Sequence, residues 1–87
     1  MDYKNLKFSK MDIKVLGTGC PKCKALEKAV NNSLTELNIQ AEVSKVEDIM
    51  QIMQFGVMRT PALVIDGKVV LSGRLPGDNE LKSLLTQ

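Results

Sequence analysis

Histidine and tryptophan are absent from this 87-residue chain, and its aromatic side chains come to one tyrosine and two phenylalanines. Without histidine there is no Cys–His nucleophile, no imidazole general base and no His-containing metal site. So few aromatics provide no platform for stacking bases. The net charge of +2, with its lysines dispersed, is too small to suggest a nucleic-acid partner. No apolar run approaches the roughly 20 residues of a membrane span, and the N-terminus has no apolar leader core. The expected location is therefore cytoplasmic, with no membrane partner. Cysteine is scarce as well, at two residues. A closed zinc site needs four ligands, and one chain offers two thiolates. Where thiols are kept reduced, a cysteine pair is more often reactive or metal-binding than a structural staple.

Hydrophobic residues at 44% and charged residues at 25% are ordinary for a soluble globular domain. The length allows one domain and one core, burying about 60–65% of the unfolded surface. Residues 1–10 are polar and lysine-bearing, with only a faint alternation at Leu6 and Phe8. They read as a mobile N-terminal extension, with an added edge strand as the alternative, and residues 11–87 as the domain.

Asp12–Leu16 reads as a strand. The stretch Gly17-Thr18-Gly19-Cys20-Pro21-Lys22-Cys23 follows it. Pro21 suits a first helical position, where its missing N–H costs nothing. Cys23, Leu26, Val30, Leu34 and Leu37 recur at three- and four-residue steps, which predicts a helix from Pro21 to about Asn38. Ile39, Ala41 and Val43 alternate with polar residues, giving a second strand. Ser44-Lys45-Val46-Glu47 has the form of a capping box. Ile49, Ile52 and Met53 then give a short helix ending before Gly56. Ala62–Ile65 and Lys68–Leu71 flank Asp66-Gly67, a strong hairpin signal. Asp78 is placed to cap a last helix with Leu81, Leu84 and Leu85 on its inner face.

A C-x-x-C at a strand-to-helix turn within a βαβ pattern reads as a redox pair. The motif alone is weak. Followed about forty residues later by Thr60-Pro61 and the Asp66-Gly67 hairpin, it becomes fairly specific. Over Met11–Gln87 the chain resembles the small thioredoxin-like redox-active disulfide proteins of bacteria and archaea. They carry a similar G-T-G-C-x-x-C turn and T-P-A-L-V-I-D-G-K-V hairpin. The resemblance implies an α/β fold of order β-α-β-α-β-β-α. Its four-stranded mixed sheet would have helices on both faces, the first and third on one and the second on the other. It also implies a cis peptide bond at Thr60-Pro61, set against the cysteine pair.

Cys20 falls where the N-cap of the first helix belongs. Unpaired N–H groups and the helix dipole favour a thiolate there and can lower a cysteine pKa from about 8.5 toward 7 or below. Lys22 and Lys24 add positive charge. Cys20 is therefore the candidate nucleophile. Cys23, one turn inward on the apolar face, is the candidate resolving thiol, and a helical turn suits the Cα–Cα distance of about 5.5 Å in a disulfide. By the resemblance, Thr60 pairs with substrate main chain. Pro61, Met58 and Gly73 would line the groove for a partner, while Thr18, Gly19 and Pro21 modulate the pair. Pro61, beside the sulfurs and without an N–H, should discourage metal capture. The expected activity is thiol–disulfide exchange with a disulfide-containing protein or small thiol. The protein would work as a monomer, without a cofactor or resident metal, and be re-reduced by an upstream reductase.

The chain departs from thioredoxin itself at two positions. Gly19 stands where thioredoxins carry a tryptophan. Lys14 stands six residues before Cys20, where they carry a buried aspartate that helps proton transfer at the resolving thiol. Lys14 reads as facing solvent, which leaves no evident carboxylate to deprotonate Cys23. The Pro-Lys dipeptide between the cysteines also differs, so the reduction potential does not carry over.

Two other functions fit the motif. A Cu(I)-binding metallochaperone-like domain also has an apolar strand, C-x-x-C and a helix, but needs two consecutive strands next, where this chain turns helical at Glu47–Phe55. A non-enzymatic redox sensor or adaptor would share the fold. Met50, Met53 and Met58 read as core filler rather than as a soft-metal site.

Overall fold

The computed structural model describes residues 11–19 and 21–86. The readings made for residues 1–10, and the placement of Cys20, lie outside them. The elements are β1 (Met11–Leu16), α1 (Pro21–Leu37), β2 (Ala41–Val46), α2 (Ile49–Gln54), β3 (Ala62–Ile65), β4 (Lys68–Ser72) and α3 (Asp78–Leu85). The sheet runs β2-β1-β3-β4. β1 pairs with β2 in parallel, from Met11 opposite Ala41 to Leu16 opposite Val46. β1–β3 and β3–β4 are antiparallel, the second with a bulge between Leu63 and Val64.

Two-residue alternation along β1 and β3 divides the core into two layers. Ile13, Val15 and Leu63 face α1 and α3, where they pack with Leu26, Val30, Leu34, Leu71, Leu81 and Leu85. Leu16, Ala62 and Val64 face the other way, against Ile52 of α2 and Val57. Asp12 and Lys14 fall on this second face by the same alternation. Lys14 is half-buried and its ammonium donates to Asp12 Oδ2 at 2.6 Å. It is thus held by its own strand rather than simply solvated.

Three element ends differ from the sequence-based expectations. α1 stops at Leu37 because Asn38 turns left-handed at φ 57. The amide of Ile39 then donates to Leu34 O and that of Asn38 to Thr35 O, a Schellman closure with asparagine in the glycine position. The expected capping box does not form. Val46 keeps its ladder position opposite Leu16, so residues 44–46 stay in β2, and Asp48 caps α2 by accepting from the Met50 amide at 2.8 Å. Asp78 is not a cap either. Gly77 occupies the N-cap with no side-chain hydrogen bond, and Asp78 is the first helical residue, where its charge favours the positive helix end. α3 is tied to α1 by Lys82–Glu36 at 2.6 Å, and Glu80 to the preceding loop by Arg74. In each pair the hydrogen bond to the opposite charge raises the pKa of the base, and Arg74 lowers that of Glu80. All three groups are solvated, so these ties register α3 more than they stabilise it.

The methionine reading fails. Met50 and Met53 are 65% and 59% exposed, because α2 is six residues long and sends only Ile52 inward, and Met58, in the loop that follows, is 91% exposed. Truncation should separate the two classes in urea unfolding. Leu26→Ala, at a fully buried site, is expected to lose about 2–5 kcal/mol. Met53→Ala should stay within about 0.5 kcal/mol. A loss above about 1 kcal/mol for Met53→Ala would contradict its exposed placement.

Candidate functional site

The candidate site lies where β1 and β2 end side by side. Because Leu16 pairs with Val46, the Gly17 amide donates to Val46 O at 3.0 Å, and residues 17–19 run alongside Glu47. The C-terminal ends of adjacent parallel strands are a recurrent location for sites in α/β sheets. Pro21 begins α1 immediately beyond the turn, and the first turn of that helix carries no acidic residue.

Cys23 is 5% exposed and faces inward from the first turn of α1. A Cβ built on Gly17 would lie 2.0 Å from Cys23 Sγ and 3.0 Å from its Cβ. No side chain fits there while the sulfur holds its place. The same point lies 3.8 Å from Thr60 Cβ, so Thr60 borders the turn beside the place the sulfur approaches. The two glycines of the turn therefore have different roles. Gly17 admits the sulfur, whereas Gly19 supplies a left-handed residue at φ 87.

The Thr60–Pro61 peptide bond is cis, and Pro61 is buried behind Thr60. Thr18, Met58 and Thr60 line one groove of about 280 Å³ with Ile49, Met53 and Val57. Gly73 does not line it. Its amide donates to Pro61 O at 2.8 Å and its α-carbon packs against Arg59, so it fastens the proline segment from the β4 side. Pro21, Lys22 and Lys24 are exposed on the first turn of α1. The lysines and the helix end set a positive field at this corner. Cys20 precedes Pro21 in the chain, and its own position is outside the described residues. Among those residues no three His, Cys, Asp or Glu side chains converge as a metal site would require.

A second, smaller cleft of about 20 Å³ opens on the other side of the turn, and Cys23, Gly17, Lys24, Lys45 and Glu47 contribute to it. Glu47 was missed as a site residue by the sequence reading, which assigned it to a cap. The signal that finds it is topological: the residue after β2 must neighbour the residue after β1. Ile49, Met53 and Val57 were missed because groove-lining and core spacing look alike on a short helix.

A thioredoxin domain family model matches residues 11–86. Thioredoxin of Methanothermobacter thermautotrophicus is 37% identical over 76 residues, covering 87% of this chain and 99% of that protein. Thioredoxin of Methanocaldococcus jannaschii is 38% identical over 73 residues, covering 84% of each. Among solved structures, the N-terminal domain of Synechococcus elongatus SasA superposes with a TM-score of 0.73 at 15% identity, covering 100% of this chain and 90% of that one. The germline-specific thioredoxin Deadhead of Drosophila melanogaster does so at 0.64 and 17%, covering 88% and 79%. At such identities these two likenesses concern the fold.

Gly17→Ala tests the packing of the sulfur. The added methyl should displace the first turn of α1, costing about 1–3 kcal/mol or more. In a Cys20→Ser background it should also raise the alkylation rate of Cys23 several-fold. Native stability with unchanged alkylation would show that the sulfur does not need the space.

Proposed function

Because this chain belongs to the thioredoxin family, we propose that it is a thiol–disulfide oxidoreductase acting through Cys20 and Cys23. The observation that carries this reading is the seating of the buried Cys23 sulfur on the Gly17 backbone, in a turn that Thr60 borders. The same turn lends Thr18 to the groove that Thr60 lines, which is where a partner would bind.

In the proposed reaction the Cys20 thiolate attacks one sulfur of a partner disulfide. A Cys20–partner bond forms, the partner's S–S bond breaks, and its other sulfur leaves as a thiolate that takes a proton from water. Cys23, as thiolate, then attacks Cys20 Sγ. The Cys20–Cys23 bond forms and the partner's remaining sulfur leaves. The partner has gained two electrons and two protons, and the pair has lost them. An upstream reductase would restore the dithiol. The groove of Ile49, Met53, Val57, Met58 and Thr60 offers a largely apolar surface to the segment flanking the partner's disulfide. Methionine suits varied partner surfaces because its side chain is flexible and polarizable. The partner would be a disulfide-containing protein or a small disulfide, and the chain would act as a monomer.

The test is equilibration in glutathione buffers of graded potential, followed by alkylation and mass analysis, with a parallel series containing Cu(I). Interconversion as one two-electron couple between about −300 and −180 mV is expected. A Cys23→Ser variant should accumulate a mixed disulfide on Cys20. A pair that stays reduced throughout, with alkylation blocked by Cu(I) alone, would replace the exchange reading with a metal carrier.

A further inference from the structure

We propose that Glu47 accepts the Cys23 proton in the second step of exchange, across the small cleft both residues line; this deepens the exchange reading above and rests on it. The attacking species must be a thiolate, and burial disfavours ionisation of a thiol. Cys23 is almost wholly buried, so its proton needs an acceptor that reaches the sulfur and also meets solvent.

The nearby carboxylates differ in whether they are committed elsewhere. Asp12 is held by Lys14 on the α2 face of β1, five residues before Gly17. Glu27, one turn beyond Cys23 on α1, faces Lys45 at 3.8 Å. Asp48 is engaged as the cap of α2. Glu47 has no hydrogen-bond or ion-pair partner among the described residues, and it forms a wall of the cleft that holds Cys23. Its Oε2 lies 3.6 Å from where a Gly19 Cβ would be, so the carboxylate hangs over the cysteine turn. The strand register puts it there, since residue 47 follows the Val46–Leu16 pair directly.

The cleft, at about 20 Å³, has room for about one water molecule. A water there can carry the proton from Sγ to the carboxylate. Glu47 is exposed and returns the proton to solvent. Besides these carboxylates, the charged groups around Cys23 are cationic: Lys22 and Lys24 on α1, Lys45 on β2 and, farther off, Arg59, whose side chain packs over Gly73. They favour a thiolate without being able to receive its proton. In the step itself, the S–H electron pair of Cys23 goes to the new bond with Cys20 Sγ. The pair in the Cys20–partner bond leaves with the partner sulfur, and the proton passes to Glu47 and then to water.

The experiment loads Cys20 with thionitrobenzoate as a mixed disulfide and follows release of the coloured thiolate after a jump in pH, in wild type, Glu47→Gln and Glu47→Asp. Loss of a positioned base of this kind slows a step by about 10²–10⁴-fold. Glu47→Gln should therefore release about 100-fold more slowly at pH 7 and approach wild type above about pH 9, where hydroxide removes the proton. Glu47→Asp should recover part of the rate. Loading of Cys20, read in a Cys23→Ser background, should be unchanged by Glu47→Gln.

Faster release in Glu47→Gln would overturn the proposal, since the carboxylate would then act only by repelling the thiolate. Equal slowing at every pH would overturn it too, as the mark of a displaced loop. If Cys20 cannot be loaded even in the Cys23→Ser background, the exchange reading itself fails, and the glutathione titration registers that failure independently.

Discussion

The close approach of the Cys23 sulfur to the Gly17 backbone sets the distances on which the rest of the site depends. It requires a residue without a side chain at the end of β1 and an inward-facing residue in the first turn of α1. Thr60, just before the cis proline, borders the same turn. The core on either side supports this contact: α1 is fixed by Leu26, Val30 and Leu34 against β1 and β3, and the Thr60 segment by Ala62 and by the Gly73–Pro61 hydrogen bond.

A division of surfaces follows from that arrangement. Among the described residues, the sheet's second face has little to cover it. α2 contributes a single buried residue, Ile52, and its remaining apolar side chains stand outside. A short helix at this place gives up burial of Ile49, Met50 and Met53 and leaves a methionine-bearing groove next to the cysteine turn. Large apolar groups left in water cost free energy of about 25 cal/mol per Å² relative to burial. Their concentration beside the cysteine turn, with only Leu75 among the exposed large hydrophobics of the described residues lying on another loop, therefore marks this face as distinct from an ordinary surface.

Element order, sheet content and the hairpin were legible because each rests on local signals: period-two alternation in β1 and β2, three-four spacing in α1, and Asp66-Gly67. The two caps were misread because capping depends on competition. Ser44 could cap a helix in isolation, but the parallel pairing of Val46 with Leu16 holds the chain extended past it, and the first available side chain is then Asp48. The methionines were misread for a related reason. Spacing reports that a residue can face inward, while the length of α2 decides how many do so. The separate roles of Gly17 and Gly19 were illegible in sequence, since one answers to a sulfur six residues on and the other to its own φ.

Glu47 shows how topology recovers what local pattern hides. In a parallel pair joined by a helix, both strands end at the same edge of the sheet, so the residues that follow them become neighbours whatever their separation in sequence. Here those residues are the cysteine turn and a glutamate thirty positions after Gly17. Lys14 stands at the strand position where thioredoxins carry a buried aspartate, and it is paired with Asp12 on the same strand. An acid that follows β2 lines the cleft of Cys23 from the solvent side instead. That placement avoids desolvating a carboxylate in the core, which costs several kcal/mol when the charge is unpaired. It also leaves the acid in contact with water, so the proton it receives has a path out that an acid buried in the sheet would lack.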